Sequence, residues 1–297
     1  MTAPAPSFAR AAPRLAALAA LELPIPPALM CQMIALMDDP LRDAARIAQL
    51  VSADPGLAAE ALRIVNSAAY GRGVETTDVR TAVVVLGERV MREIIAHRMR
   101  NLMGRPVVEG YEMAGEGLWR HAIRTGAAAT RLAVPLGVET GTAYTAGLLA
   151  DIGKLALAHP LAERWSEVEA ALLAAPDRAF DDIEREVLGA DHARVGAELA
   201  RSWRLPAPIW RAIAWHHHPS EAPEESRDLT IAVHLADAAA MSIGVAAGSD
   251  GLHYALDERA LARLGYGPLE LERLLIEIER DVAKLEAVLS SGAPCGP

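Results

Sequence analysis

Six side chains, His121, Asp151, His192, His216, His217 and Asp237, have the types that a divalent-metal centre needs: neutral imidazoles combined with hard carboxylates. Around an open coordination position such a set acidifies a bound water into a nucleophile for phosphoester hydrolysis. Asp151 is the natural bridging ligand, because one carboxylate shared by two ions would hold them at the separation that two-metal chemistry uses. Lys154 lies three residues further on and shares a helical face with it. Its ammonium would either pair with Asp151 or hold a substrate phosphate as a point charge. Lys154 and Lys284 are the only lysines in a chain that otherwise uses arginine.

Each histidine alone has an ordinary explanation. His192 follows Asp191, a suitable N-cap, and His216 and His217 end a helix, where imidazole complements the dipole. His97, His159, His218, His234 and His253 are assigned capping or packing roles. The six candidates fall in or at the ends of several predicted helices, and facing helices of a bundle can bring such ligands to one core.

The elements that must position them read as helices throughout. Hydrophobic residues make up 52% of the 297 and aromatics only 4%, so the core must be built from Ala, Leu, Val and Ile, and strand signals are missing. Ile47, Leu50 and Val51, then Leu57, Ala61, Leu62 and Val65, recur at helical spacing, with Asp54-Pro55 as N-cap and first helical residue of a restart. Residues 104–117 carry four glycines and a proline without period and mark an internal boundary. The expected organisation is a disordered arm over 1–20, an N-terminal helical subdomain over 21–112, a larger helical subdomain over 113–290 and a flexible tail over 291–297. TGTAYTAGLLADIGKLALAHP reads as one helix. The last helix sets Leu271, Leu275, Ile278, Val282, Leu285 and Leu289 at alternating steps of four and three, a short seam that would allow a homodimer.

Charge narrows the partners. Residues 1–115 hold equal numbers of basic and acidic side chains, so the whole net charge of −10 belongs to residues 116–297. An acidic surface disfavours nucleic acid. The local exception, residues 80–105, makes Arg89, Arg92, Arg98 and Arg100 candidates for contacting an acidic or phosphate-bearing partner, unless they form a solvated helix face. Cys31 and Cys295 give neither a metal spacing nor a disulfide framework, and no segment is long and apolar enough for a signal region or a membrane span. A soluble cytoplasmic chain is expected.

LPIPPALMCQMIALMDDP, Val51-Ser52-Ala53-Asp54-Pro55, LRIVNSAAYG, TAVVVLG, LWRHA, GLLADIGKL, DHARVGAELARSW and AIAWHHHP together resemble the HDOD family, a branch of the HD-domain superfamily of metal-dependent phosphohydrolases, over roughly Leu21 to Leu289. The resemblance implies an all-α, HD-like multi-helix bundle with an N-terminal helical subdomain and a role in bacterial signalling, usually without demonstrated enzymatic activity. Superfamily ligands carried over residue by residue fall on the six candidates, with Lys154 at the phosphate-contacting place. This sequence departs from the superfamily at Ala150, which stands where an adjacent His-Asp pair would have its histidine. His217 is followed by HPSEAPEES, without the Gly-Tyr-Pro motif of the cyclic-dinucleotide phosphodiesterases. The half formed by Asp151, His192, His216 and His217 is untouched, so one divalent ion, Fe, Mn, Mg or Zn, could still bind. We therefore expect a stand-alone regulatory protein that binds a signalling protein or a nucleotide. The alternative is a metal-dependent phosphohydrolase acting on a nucleotide or cyclic dinucleotide.

Overall fold

The structure is a computed structural model that describes residues 44–67, 70, 75–102, 111, 115–203, 205–243 and 255–290. Among them every regular element is a helix. Helices α1 (Ala44–Ser52) and α2 (Pro55–Val65) meet at Asp54, whose carboxylate accepts the Leu57 N–H at 2.7 Å with Pro55 at the helix start, as the Asp-Pro pair predicts. Both pack on α3 (Val79–Leu102), which changes direction at Gly87, where φ of 74° suits glycine. Arg89, Arg92, Arg98 and Arg100 belong to this helix, but their side chains lie outside the described residues. So do Cys31, Cys295, the arm and the tail.

The remaining helices are α4 (Gly115–Ala133), α5 (Thr140–Leu149), α6 (Ile152–Glu163), α7 (Trp165–Ala174), α8 (Phe180–Leu188), α9 (His192–Ser202) and α10 (Ala207–Trp215), then a short 3₁₀ turn (Pro219–Glu221), α11 (Glu224–Ile243), α12 (Glu258–Leu264) and α13 (Pro268–Ser290). Helix α4 lies between α5 and α11, and α9 lies between α6 and α10, with α10 touching both α5 and α11. One buried apolar cluster runs from Ile47 and Leu62 through Ile123 and Leu149 to Ile213 and Val233, so helices on both sides of the expected boundary share a core. A second cluster gathers Leu161, Phe180 and Ile183. Ile278 and Val282 of the α13 seam are buried in the first cluster, and Arg131 of α4 pairs with Glu277 and Asp281. That part of the seam therefore faces its own chain. No helix among the described residues is long and apolar enough to cross a membrane.

The segment expected as one helix over residues 140–160 is two. Helix α5 ends at Leu149, Ala150 caps it, and Asp151, with φ −95° and ψ 12°, starts α6 in a new direction. The new direction carries α6 across α9 so closely that a Cβ on Gly153 would sit 1.9 Å from the His192 carbonyl oxygen and 2.6 Å from the Gly196 nitrogen. Both obstacles are backbone, so only separation of the helices would relieve the clash. Gly153→Ala is expected to lower the unfolding free energy by about 3 kcal/mol, the upper end of the usual overpacking cost, in a urea titration. A midpoint equal to the parent's would show that these helices do not touch.

A candidate metal centre at the meeting of five helices

The crossing of α6 and α9 sets Asp151 beside His192, and α10 ends against the same point with His216 and His217. Helices α4 and α11 contribute His121 and Asp237 from the other side. The six candidates form two groups that share Asp151: Asp151, His192, His216 and His217 in one, and His121, Asp151 and Asp237 in the other, with the ligand atoms of each group within 4.8 Å of one another. All but the half-buried His217 are buried.

Asp151 divides its two oxygens between these groups. Oδ2 accepts the Lys154 ammonium at 2.7 Å and lies 3.3 Å from His121 Nε2. Of the two roles open to Lys154 in the sequence, the structure forms the buried ion pair, with Lys154 only 1% exposed. Oδ1 has no hydrogen-bond partner and faces His192 Nε2 at 3.3 Å and His216 Nε2 at 3.7 Å. His216 donates its Nδ1–H to the Ile213 carbonyl at 2.8 Å, because a carbonyl can only accept, and its Nε2 is also without a partner. Two buried acceptors thus look at each other with no donor between them. A cation resolves that conflict.

The donor spacing fits one. Around a four-coordinate ion with bonds of about 2.0–2.1 Å, neighbouring donors stand roughly 3.3 Å apart. The 3.3 and 3.7 Å separations lie at and somewhat above that value, and His217 Nε2 adds a fourth donor 2.8 Å from His192 Nε2. Ala150 is buried against the core and offers no donor, so the second group has only His121, Asp237 and the oxygen of Asp151 already paired with Lys154.

Protons stand in for positive charge. Burial opposes a charge on His121, yet the carboxylates of Asp237, at 2.6 Å, and Asp151 outweigh it and raise the imidazole to about 9. Burial likewise opposes a charge on His192, but Glu184 and Asp151 hold it well above its ordinary value. Burial lowers His216, and burial with its histidine neighbours drives His217 well below the usual range. Desolvation would raise Asp151, but Lys154, His121 and His192 bring it well below the ordinary carboxylate range. Asp237 is lowered as well, since His121 overcomes both burial and the repulsion of Asp151.

Glu184, which sequence reasoning missed, completes the arrangement. Its Oε2 accepts both His192 Nδ1–H, at 2.6 Å, and the His192 backbone N–H, while Tyr111 donates to Oε1. A carboxylate behind a ligating histidine fixes which ring nitrogen faces the ion and increases its basicity. A signal for it exists in the sequence: Glu184 lies on the same face of α8 as Phe180, Ile183 and Val187, where a carboxylate has to be buried with a partner. Two histidines assigned to packing also have definite partners. His218 meets Asp181 at 2.7 Å, and His234 bonds the His216 carbonyl.

Known proteins agree with this architecture. The HDOD domain model matches residues 23–219. An uncharacterized protein of Treponema pallidum is 28% identical over 221 residues, 73% of this chain and 42% of that protein. Ribonuclease Y of Thermus thermophilus is 31% identical over 108 residues, 36% of this chain and 14% of the enzyme. The chain therefore spans less than half the length of these curated relatives. Among solved structures, the MmoQ response regulator of Methylococcus capsulatus superposes with a TM-score of 0.67 at 26% identity, covering 86% of this chain and 99% of that one. An HDOD domain protein of unknown function from Geobacter sulfurreducens has a TM-score of 0.50 at 21% identity over 97% of this chain and 99% of its own, a likeness of fold alone. With its helices, their order and two thirds of its length accounted for in this way, the chain belongs to the HDOD domain family.

Proposed function

We propose that this chain is a regulatory HDOD module that acts by binding, built around a single divalent ion that holds α6, α9 and α10 together, and is not a two-metal phosphohydrolase. The observation that carries the reading is the division of Asp151: a carboxylate that bridges two ions through its two oxygens gives one to each, and here Oδ2 accepts the buried Lys154 ammonium, whose charge opposes a second cation beside it. What remains is three imidazole nitrogens and one carboxylate oxygen, a donor set that suits Zn or Fe better than Mg. Four protein donors close a tetrahedral site, as in structural centres, whereas hydrolytic centres keep a position for water. When bound, the ion would supply positive charge and cross-link three helices; His192, His216, His217 and Asp151 would hold it, and Glu184 would orient His192. The likeness to a response regulator supports a role in signalling.

A one-ion phosphohydrolase is the second reading, favoured by the partial likeness to ribonuclease Y. Metal analysis of protein purified without chelator, paired with a phosphodiesterase assay, separates the two. About one ion per chain with no turnover is expected. Two ions per chain, or turnover that a chelator abolishes, would overturn the regulatory reading.

A further inference from the structure

Helix α13 carries two lines of apolar residues. Leu274, Ile278 and Val282 are buried against the chain itself, and beside them Glu277 and Asp281 are engaged by Arg131 of α4. On the opposite side Leu269 is 69% and Ile276 is 59% exposed, and Ala283 is exposed as well. Single exposed apolar side chains are ordinary on a protein surface. These three recur every seven residues, close to two helical turns, and so form one line along the helix.

The charges beside that line are ordered. Glu272 and Glu279 follow Leu269 and Ile276 by three residues and lie along one edge, whereas Arg273 and Arg280 follow them by four and lie along the other. All four are exposed, and among the described residues their side chains have no hydrogen-bond or ion-pair partner. The inward side of α13 thus has its acidic groups paired within the chain, and the outward side has charges of both signs unpaired.

This pattern selects an occupant. An acidic partner would match the arginine edge and oppose the glutamate edge, and a basic partner would do the reverse. A second copy of the helix matches both, in one orientation only. When two identical helices run parallel about a two-fold axis along their length, each edge faces the opposite edge of the other helix, so arginines meet glutamates at the same height. In an antiparallel pair each edge would face its own like.

We propose that a second copy of this chain docks on the outward face of α13, parallel to it. Leu269, Ile276 and Ala283 pack against their own counterparts, and Arg273 and Arg280 face Glu272 and Glu279 of the partner subunit. Ile278 and Val282, expected from their spacing to form a dimer seam, serve the chain's own core, and the pairing face is the opposite one.

Sedimentation of the full chain over a range of concentrations tests the pairing, and a reversible dimer is expected. Ile276→Asp should weaken it roughly 30-fold, the loss of a central anchor, with circular dichroism unchanged because the side chain is exposed. Arg273→Glu with Arg280→Glu makes both edges acidic, and Glu272→Arg with Glu279→Arg makes both basic. Each double variant should be monomeric alone, and an equimolar mixture of the two should recover the dimer, since their edges match again. A parent chain that stays monomeric at every concentration would overturn the pairing. So would a dimer that Ile276→Asp leaves intact, or charge variants that associate alone as well as they do together.

Discussion

The Asp151→Ala chain is expected to retain no divalent ion, while His121→Ala keeps it with an affinity lowered by no more than about 10–100-fold, the usual cost of losing an outer partner. Asp151 provides the one oxygen that faces His192 and His216 with no other partner. His121 lies on the other side of the carboxylate, bonded to Asp237 and approached by Thr125. Its loss disturbs the orientation of Asp151 without removing a donor from the four-donor group. Asp151→Ala also takes the carboxylate partner from a buried ammonium, a change that typically costs about 3–5 kcal/mol. The double variant Asp151→Ala with Lys154→Met removes that ammonium and separates loss of the ion from loss of the fold. Elemental analysis of each variant, on protein with parent-like circular dichroism, gives the result. Equal ion content in Asp151→Ala and the parent would place the ion elsewhere in the molecule.

The contrast between these two histidine environments explains what the sequence made legible. Residue type, helical context and the resemblance to the HDOD family together singled out six side chains, and the structure sets the other five around Asp151. The direction of the chain at Asp151 was not legible: TAGLLADIGKL has unbroken helical character, and the break at Ala150 comes from tertiary contact, where Gly153 lets α6 drop onto α9. The Asp191 cap was readable, and its carboxylate does accept the Arg194 N–H at 2.7 Å. The cap does not compete with a metal role for His192: as the first helical residue it points its ring at Asp151 while its backbone N–H bonds Glu184. Partner choice was the least legible part. Lys154 had two options of similar chemistry, and only the fold shows its ammonium buried 2.7 Å from Asp151.

Chelated protein should be most stable near pH 6.5 and lose stability on both sides, whereas loading the ion should flatten the alkaline side. Three carboxylates, Asp151, Asp237 and Glu184, converge with one ammonium, Lys154, and leave two negative charges among the histidines. One divalent ion balances them; without it, protons on His121 and His192 do so. His121, raised to about 9 from an unfolded value of 6.5, contributes stability that is complete below pH 6.5 and disappears as the pH rises through 9. That difference is on the order of 3 kcal/mol, or roughly 5–10 °C in melting temperature for a chain of this size; His192 acts in the same direction. His216 and His217, lowered in the fold, do the opposite: their contribution is complete above pH 6.5 and is lost as the pH falls through their depressed values. An ion held by Asp151, His192, His216 and His217 takes the place of the His192 proton and, by neutralising Asp151, weakens the hold on the His121 proton, so the loaded protein has less stability to lose between pH 6.5 and 9. Melting temperatures measured from pH 5 to 10, with chelator and with Zn, test the balance. Parallel curves for the two forms above pH 6.5 would mean that the ion and the histidine protons do not compete for the same place.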